Sequence, residues 1–255
     1  VEQQWVKSAD GTRLPYFQIG AHDAKDKATI LYGYGGFEIP IAPFYSTTLG
    51  AAWLTPGNVY VVANIRGGGE FGPSWHQAAL RENRVRAYED FIAVAADLIA
   101  RGVTSTKKLG TTGGSNGGLL VGNMLTMRPD LFGAVVAQAP LLDMRRYSKL
   151  LAGASWVAEY GDPDLGEDWA FMQTFSPYHN VSKSQEYPPV LITSSTRDDR
   201  VHPGHARKMV ALMQSQGHRV SYYENKEGGH AGAANNKQPA HRNALVYEFF
   251  RQHSD

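Results

Sequence analysis

The sequence predicts an α/β fold in which helices cover both faces of a mainly parallel central sheet. Short apolar runs of strand-forming residues alternate with longer segments of helical periodicity, as right-handed crossovers between parallel strands require. A glycine-rich turn also leads directly from one predicted strand into a predicted helix. We predict strands at residues 3–7, 13–19, 28–32, 59–64, 107–112, 134–138, 190–195 and 220–224, and helices at 83–101, 116–127, 203–216 and 240–252.

The individual elements follow from local patterns taken in order along the chain. The first two strands flank the turn Ser8-Ala9-Asp10-Gly11 and predict an opening hairpin, while the next two are apolar runs that end in glycine clusters. Helix 116–127 ends before Pro129, because proline cannot continue a helix. Residues 142–187 are less regular, with helical pieces and several prolines. The apolar residues of helix 83–101 recur at helical spacing: Tyr88, Phe91, Ile92, Ala95, Leu98 and Ile99.

The chain is long enough to form one large core, with 255 residues of which 42% are hydrophobic. A single α/β domain often reaches about 250 residues, and the sequence shows no linker, internal repeat or low-complexity tract. We therefore predict one domain over residues 1–255. Because the sequence begins with Val1 rather than methionine, we also expect it to be a piece of a longer protein.

Charge and composition exclude several classes of function. The formal net charge is +1 with the charged residues interspersed, which speaks against a nucleic-acid-binding surface or a polybasic membrane anchor. Without cysteine, the chain has no disulfide, thiolate metal site or cysteine nucleophile. No apolar run reaches the roughly 18 residues that a membrane-spanning helix needs. We therefore expect no nucleic acid, membrane, metal or cofactor as a partner, while the composition does not separate cytoplasm from periplasm.

The stretch that points most directly to chemistry is Gly113-Gly114-Ser115-Asn116-Gly117. Its Gly-x-Ser-x-Gly pattern between a predicted strand and a predicted helix is typical of a nucleophile elbow, in which the serine occupies a strained turn. The glycines permit backbone angles and a close approach of strand to helix that a Cβ would hinder. Phosphate binding is the other use of such a turn, but the Gly-x-x-x-x-Gly-Lys-Ser/Thr pattern is absent. We therefore predict that Ser115 is a nucleophile.

A serine hydroxyl becomes an effective nucleophile when a base removes its proton and a third group orients that base. In the α/β-hydrolase fold the acid and the histidine follow the serine in that order, each in a loop after a later strand. The loop after strand 190–195 contains Asp198 and Asp199, and the loop at 226–232 contains His230 between glycines. We predict that His230 is the base. Spacing does not separate the two aspartates, either of which could instead cap the following helix.

Beyond these local patterns, the sequence resembles the catalytic domain of the prolyl oligopeptidase family of serine peptidases almost from end to end. The resemblance implies an α/β-hydrolase fold with peptides as substrates. Members of that family carry a β-propeller before the catalytic domain, so the resemblance also implies an N-terminal propeller upstream of Val1. The motifs that carry the resemblance are Leu31-Tyr32-Gly33-Tyr34-Gly35-Gly36-Phe37, Ala63-Asn64-Ile65-Arg66-Gly67-Gly68-Gly69-Glu70, Gly113-Gly114-Ser115-Asn116-Gly117-Gly118, Arg128-Pro129-Asp130-Leu131-Phe132-Gly133, Asp198-Asp199-Arg200-Val201 and Gly229-His230.

The resemblance also implies roles for individual residues. It selects Asp198 as the triad acid, with Ser115 as the nucleophile and His230 as the base. The hydroxyl of Tyr34 and the backbone N–H of Asn116 would form the oxyanion hole, where losing one donor typically costs about 3–4 kcal/mol. For Tyr34, the alternative is a half-buried tyrosine with a packing role.

Substrate contacts are implied in the same way. Arg200 would bind a carbonyl of the peptide, and its alternative is a surface ion pair with Asp199. Four side chains would line the pocket for the residue before the cut, with core packing as their alternative role: Phe37, Trp156, Tyr160 and Val201. A flat ring such as Trp156 can stack on proline without needing a partner for charge. The related oligopeptidase B type, which cleaves after basic residues, has acidic residues where this chain has Trp156 and Ala158, although Glu159 lies nearby.

The sequence therefore predicts a serine peptidase that hydrolyses short peptides, preferentially after proline, through a Ser-His-Asp triad and an acyl-enzyme. An esterase or acyl-aminoacyl hydrolase would use the same triad. A catalytically silent hydrolase-like binding module is a third possibility, although such proteins usually lose a triad member and none is missing from this sequence.

Overall fold

One mixed sheet organises the chain. The structure is a computed structural model that describes residues 1–21, 23–230 and 235–254. The strands within these residues are β1 (Glu2–Lys7), β2 (Arg13–Ile19), β3 (Thr29–Tyr32), β4 (Val59–Ala63), β5 (Leu109–Gly114), β6 (Ala134–Gln138), β7 (Val190–Ser195) and β8 (Val220–Asn225). They lie in the order β1-β2-β4-β3-β5-β6-β7-β8. The β1–β2 and β2–β4 pairs are antiparallel, and all the other neighbouring pairs are parallel.

The helices connect these strands. They are α1 (Thr47–Leu49), which continues into a π-helical turn (Gly50–Leu54), α2 (Pro73–Gln77), α3 (Val85–Ala100), α4 (Asn116–Met127), α5 (Val157–Tyr160), α6 (Gly166–Met172), α7 (Pro177–Asn180), α8 (Gly204–Ser215) and α9 (Lys237–Gln252). Short 3₁₀ turns add to the irregular segment between β6 and β7, as predicted. Across the residues that the structure describes, none of these helices is both long enough and apolar enough to cross a membrane.

Both faces of the sheet are covered, which confirms the predicted α/β architecture. Side chains alternate between the faces along a strand. In β4, Val59 and Val61 join the larger apolar core, which lies against α3, α4 and α8. Tyr60 and Val62 join the smaller core on the other face, together with residues of α9 and Trp53. The period of two in β4 therefore determines which residues meet which helices.

The observed elements differ from the sequence prediction in a few places. The short helices α1 and α2 are absent from the predicted elements because neither has a clear apolar period. β5 runs two residues past its predicted end, since Gly113 and Gly114 still pair with β6. α9 begins three residues before its predicted start, because Pro239 is tolerated in a first helical turn. The predicted opening hairpin is confirmed by the antiparallel pairing of β1 with β2.

The topology brings three loops to one edge of the sheet. Strands β5, β6, β7 and β8 are neighbours and run parallel, so their carboxyl ends share an edge. Ser115 follows β5, Asp198 follows β7, and His230 follows β8. Residues 231 and 232, which belong to the predicted histidine loop, lie outside the described residues.

Candidate active site

Ser115 occupies a strained turn between β5 and α4. Its backbone angles are φ +57° and ψ −114°, which only glycine adopts without strain. The turn is anchored because the Ser115 N–H donates a 2.9 Å hydrogen bond to the carbonyl of Gln138 on β6. Since the turn precedes the first residue of α4, the free N–H groups of that helix point toward the serine.

Glycines allow this turn to form. A Cβ on Gly113 would lie 2.2 Å from the carbonyl oxygen of Gly117, and that oxygen belongs to backbone that cannot swing aside. A Cβ on Gly117 would lie 2.9 Å from the carbonyl oxygen of Gly33 at the end of β3. The Gly-x-Ser-x-Gly pattern therefore reflects the close packing of α4 against two strands.

His230 and Asp198 form a hydrogen-bonded pair across two loops. The Nδ1 atom of His230 lies 2.8 Å from Oδ2 and 3.0 Å from Oδ1 of Asp198. The Asp198 side chain is only 1% exposed, and its Oδ1 also accepts the backbone N–H groups of Arg200 and Val201, each at 2.9 Å. Because an ionised carboxylate can only accept, the contact fits the tautomer that carries its proton on Nδ1 of His230, in which Nε2 can act as an acceptor. The neighbouring Asp199 is exposed, so the geometry separates the two aspartates.

Ser115 and His230 line the same cavity, of about 280 Å³, at the carboxyl edge of the sheet. The lining also includes Gln138, Ser194 and Asn225, but none of the residues predicted to contact substrate. A larger cavity of about 890 Å³ opens at the amino ends of β7 and β8, on the opposite edge. We place the candidate site at the smaller cavity because both the predicted nucleophile and the predicted base line it.

Tyr34 and Asn116 are joined by a hydrogen bond. The side-chain Nδ2 of Asn116 donates to the main-chain carbonyl of Tyr34 at 2.6 Å. Burial raises the pKa of the Tyr34 hydroxyl above its ordinary value, so the hydroxyl keeps its proton at neutral pH and can act as a donor. Asn116 is the first residue of α4, directly after the serine. The two predicted oxyanion-hole residues are therefore brought together at the turn.

Three aromatic rings pack edge to face beside this turn. The Phe37 ring centroid lies 5.6 Å from that of Tyr160 and 6.4 Å from that of Trp156, at interplanar angles of 84° and 76°. Tyr160 is fully buried and its hydroxyl donates to Oδ1 of Asn116 at 2.8 Å. Val201 is buried in the same apolar cluster. The four predicted pocket residues therefore pack into the larger core, with Tyr160, Val201 and Trp156 buried and Phe37 partly exposed, and their role in lining a pocket stays a prediction.

Glu159 is buried and fully engaged. Its Oε1 accepts the backbone N–H of Phe37 and a guanidinium N–H of Arg84, each at 2.9 Å. Its Oε2 lies 2.7 Å from Nε2 of His76. The sequence leaves Glu159 available as a partner for a cationic substrate, but in the structure its carboxylate is surrounded by protein donors.

Comparison with known protein families shows which family the chain belongs to. A family model described as the prolyl oligopeptidase family matches residues 45–255. The chain belongs to this family. It is 55% identical over 254 residues to an uncharacterised peptidase of Sinorhizobium fredii, covering 98% of this chain and 35% of that protein. It is 41% identical over 219 residues to a prolyl endopeptidase of Elizabethkingia miricola, covering 84% of this chain and 31% of that protein.

A solved structure supports the same family. The chain matches a post-proline cleaving enzyme from Rickettsia typhi with a TM-score of 0.96 at 41% identity, covering 99% of this chain and 37% of that one. The fold is therefore the α/β-hydrolase fold of prolyl oligopeptidases. The chain spans about a third of the length of the relatives that it matches.

Arg200, which the prolyl oligopeptidase resemblance assigns to a substrate carbonyl, lies on the surface. The residue is exposed, and among the ion pairs of the described part of the chain none joins it to Asp199. Its main chain is held on both sides, because its N–H donates to Asp198 and its carbonyl accepts the N–H of Ala152 at 3.4 Å. The guanidinium therefore projects from a fixed backbone beside the candidate triad acid.

Two residues of the site are missed by the sequence reasoning. Arg84 is fully buried against Glu159 and Asn116, although it lies in a charged run that is typical of a solvated helix start. Its spacing from Tyr88 and Phe91, at i+4 and i+7, would place it on the buried face of α3 and is the signal that could reveal it. His76, on α2, carries no comparable signal.

Proposed function

We propose that the protein is a serine peptidase that cleaves peptides after proline through an acyl-enzyme on Ser115. The observation that carries the proposal is the Asp198–His230 hydrogen bond at a cavity shared with Ser115, in a chain of the prolyl oligopeptidase family. The assignment of Asp198 rather than Asp199 rests on the same hydrogen bond.

The proposed reaction uses each group once in each half. As the Ser115 Oγ forms a bond to the substrate carbonyl carbon, Nε2 of His230 accepts its proton, and Asp198 stabilises the resulting imidazolium. The Tyr34 hydroxyl and the Asn116 backbone N–H donate to the developing oxyanion. His230 then protonates the leaving amine while the C–N bond breaks. Water, deprotonated by the same imidazole, then adds to the acyl carbon. The C–O bond to Ser115 breaks, His230 returns the proton to Oγ, and the peptide acid leaves.

The preference for proline is supported by the chemistry of the aromatic group. A proline side chain needs apolar surface and no polar partner, and the partly exposed Phe37 ring, packed against the buried Trp156, offers such surface. A cationic side chain would find the Glu159 carboxylate already paired, and burying an unpaired charge is costly. The names of the relatives from Elizabethkingia miricola and Rickettsia typhi describe prolyl and post-proline cleavage, in agreement with this preference.

We further infer that a domain outside this chain contributes to substrate selection. The chain spans about a third of the length of its relatives, and the family resemblance implies an N-terminal β-propeller. Such a domain would restrict entry to short peptides. Size selection therefore belongs to the full-length protein.

Chromogenic peptides test the proposed specificity on the full-length protein. We expect kcat/KM to be at least about 10-fold higher for peptides with proline before the cleaved bond than for matched arginine peptides. A preference for arginine would contradict the proposal. A fluorophosphonate probe should label Ser115 in the wild type and not in Ser115→Ala. A folded wild-type protein without this adduct would instead favour a silent binding module.

Arg200 separates the peptidase from an esterase. A peptide carbonyl needs the Arg200 donor, whereas a simple ester does not. We expect Arg200→Ala to lower kcat/KM for proline peptides while leaving a small activated ester within about twofold, because a charge-assisted hydrogen bond contributes about 1.5–3 kcal/mol. Unchanged peptide hydrolysis in this variant would favour the esterase.

A further inference from the structure

We propose that Glu159 and Arg84 are positioning residues that together hold the oxyanion tyrosine and the rim of the substrate pocket, and that Arg84 cancels the charge of Glu159 so that the pocket accepts uncharged side chains. The proposal rests on the peptidase function proposed above and extends it to residues beneath the site. Neither residue contacts Ser115 or His230 in the described hydrogen bonds, so both act through others.

The first step is the burial of the two charges. The Arg84 side chain is 1% exposed and that of Glu159 is 5% exposed, with 2.9 Å between Nη1 and Oε1. Isolated charges at such positions are strongly unfavourable, and removing one partner leaves the other uncompensated. The Arg84 guanidinium also lies 5.3 Å from the Tyr160 ring centroid, within cation–π range. The pair is therefore neutral as a unit and packed against a pocket residue.

The second step connects the pair to the oxyanion hole through Asn116. Its Oδ1 accepts Nη2 of Arg84 at 2.6 Å and the hydroxyl of Tyr160 at 2.8 Å. Two donors on one side of the amide force its Nδ2 to face the carbonyl of Tyr34, which accepts at 2.6 Å. Arg84 therefore fixes the orientation of the amide, and the amide fixes the main chain of the tyrosine.

The third step connects the pair to the pocket rim. Phe37 and Glu38 are consecutive non-glycine residues with φ of +57° and +56°, a backbone conformation that needs support from its surroundings. The Phe37 N–H donates to Glu159 at 2.9 Å, which supplies such support directly. The adjoining Gly36 packs so closely that a Cβ would lie 2.5 Å from Nδ2 of Asn116. One carboxylate and one guanidinium thus support both the catalytic and the binding side of the site.

The charge balance gives the proposal a specific consequence. If Arg84 is replaced by a neutral residue, the Glu159 carboxylate loses its permanently charged partner and keeps only His76 and the Phe37 N–H beside it. A cationic substrate side chain would then gain a partner. An uncharged side chain would gain none, and the pocket rim around Phe37 would be displaced. If both residues are replaced by glutamine, no charge is left and the preference for uncharged substrates should return.

The test measures full-length Arg84→Gln, Glu159→Gln and the double variant with proline and arginine peptides. We expect each single variant to lower kcat/KM for proline by about 10- to 100-fold, mainly in kcat, because the oxyanion donor is misplaced. The arginine-to-proline ratio is kcat/KM for the arginine peptide divided by kcat/KM for the proline peptide. We expect this ratio to rise about 10-fold in Arg84→Gln and to return to the wild-type value in the double variant. Arg84→Lys should restore the ratio but not kcat, because lysine supplies the charge without the two-pronged geometry.

A second buried ion pair, which does not contact Glu159 or Asn116, provides the matched control for a general loss of stability. Arg66 is 4% exposed and pairs with the fully buried Asp90 at 2.6 Å. Arg66→Gln should lower the melting temperature while leaving the arginine-to-proline ratio unchanged. If Arg84→Gln does not fold, His76→Gln serves instead, because it removes the 2.7 Å imidazole contact to Glu159, together with a longer 3.8 Å contact to Glu38, and should raise the arginine-to-proline ratio about threefold.

A ratio within twofold of the wild type in folded Arg84→Gln, or in His76→Gln when only that variant folds, would overturn the charge-balance proposal. The rate of fluorophosphonate labelling of Ser115 separates this failure from failure of the proposed function. Wild-type protein that neither labels nor cleaves proline peptides would show that the peptidase assignment is wrong. Wild-type protein that labels, with Arg84→Gln labelling at the same rate, would show that the assignment holds and the positioning role does not.

Discussion

The side-chain amide of Asn116 donates a 2.6 Å hydrogen bond to the main-chain carbonyl of Tyr34, 82 residues away in sequence. This bond ties the loop after β3 to the first residue of α4. One proposed oxyanion donor is the hydroxyl of Tyr34, and the other is the backbone N–H of Asn116 itself. A single buried amide therefore links the two segments that carry the proposed donors.

Asn116→Asp tests this link with almost no change in shape. The new Oδ2 atom would face the Tyr34 carbonyl oxygen, so a hydrogen bond becomes a repulsion while the backbone N–H of residue 116 remains. We expect kcat for peptide hydrolysis to fall about 10- to 100-fold with a smaller change in KM. Steady-state kinetics on the full-length protein measures the effect.

The same substitution on the same helix supplies the control. Asn123 is also buried on α4, and its Nδ2 donates to the carbonyls of Leu119 and Phe175, away from the serine. Asn123→Asp should lower the melting temperature and leave kcat close to the wild-type value. Equal kcat losses in the two variants would mean that the Asn116 effect is a general loss of stability.

Tyr34→Phe removes only the proposed oxyanion hydroxyl. Because the ring and the main-chain hydrogen bond remain, we expect kcat to fall about 100-fold with little change in KM or melting temperature. Tyr187→Phe is the matched control, since Tyr187 lies beside the cavity at the opposite edge of the sheet. Pre-steady-state acylation rates should show the loss for Tyr34→Phe alone. If Tyr34→Phe acylates at the wild-type rate, Tyr34 has a packing role and is not an oxyanion donor.

Asp198→Asn should inactivate His230 as a base by holding its imidazole in the wrong tautomer. The backbone N–H groups of Arg200 and Val201 both donate to Oδ1, so the asparagine oxygen will occupy that position. Its NH₂ group then takes the place of Oδ2 and donates to Nδ1 of His230, which leaves the proton on Nε2. We expect kcat to fall about 10⁴-fold, with the fold unchanged. Asp199→Asn is the control, and a larger loss there would reverse the assignment of the acid.

The parts of the molecule that sequence could predict are those encoded locally. The alternation in β4 and the glycines around Ser115 are properties of a few adjacent residues, and they located the sheet and the turn. The contacts that Arg84 and His76 make with distant segments carry no such motif and were beyond this reasoning. Arg84 reaches Asn116 across 32 residues, and His76 reaches Glu159 across 83, so neither contact leaves a periodic signal.

The two aspartates after β7 show where spacing stops being informative. Asp198 and Asp199 are adjacent, and either could cap the following helix on sequence grounds. In the structure one is buried against His230 and the other is exposed. The difference depends on how the loop turns between Ser195 and Val201, and the hydrogen bonds that hold this loop end on the Asp198 carboxylate itself.

His205, at the start of α8, should make stability depend on pH. Its Nδ1 accepts the backbone N–H groups of Leu142 at 3.2 Å and Asp143 at 3.0 Å, so the folded protein holds the neutral imidazole. Burial lowers the pKa of His205 from 6.5 to about 4. The unfolded chain therefore binds a proton near pH 6.5 that the folded chain does not bind until about pH 4.

The sign of the pH effect follows from that order. The contribution of His205 to the free energy of unfolding is complete above pH 6.5 and is lost as the pH falls toward 4, by about 3 kcal/mol in total. Urea unfolding at several pH values measures it. His205→Asn is the matched variant, because its Oδ1 can accept the same N–H groups and does not titrate. We expect its unfolding free energy, relative to its own value at pH 7.5, to decline less steeply between pH 6.5 and 4. If the free energy of unfolding falls equally with pH in the two proteins, the loss of stability in acid comes from the carboxylates instead.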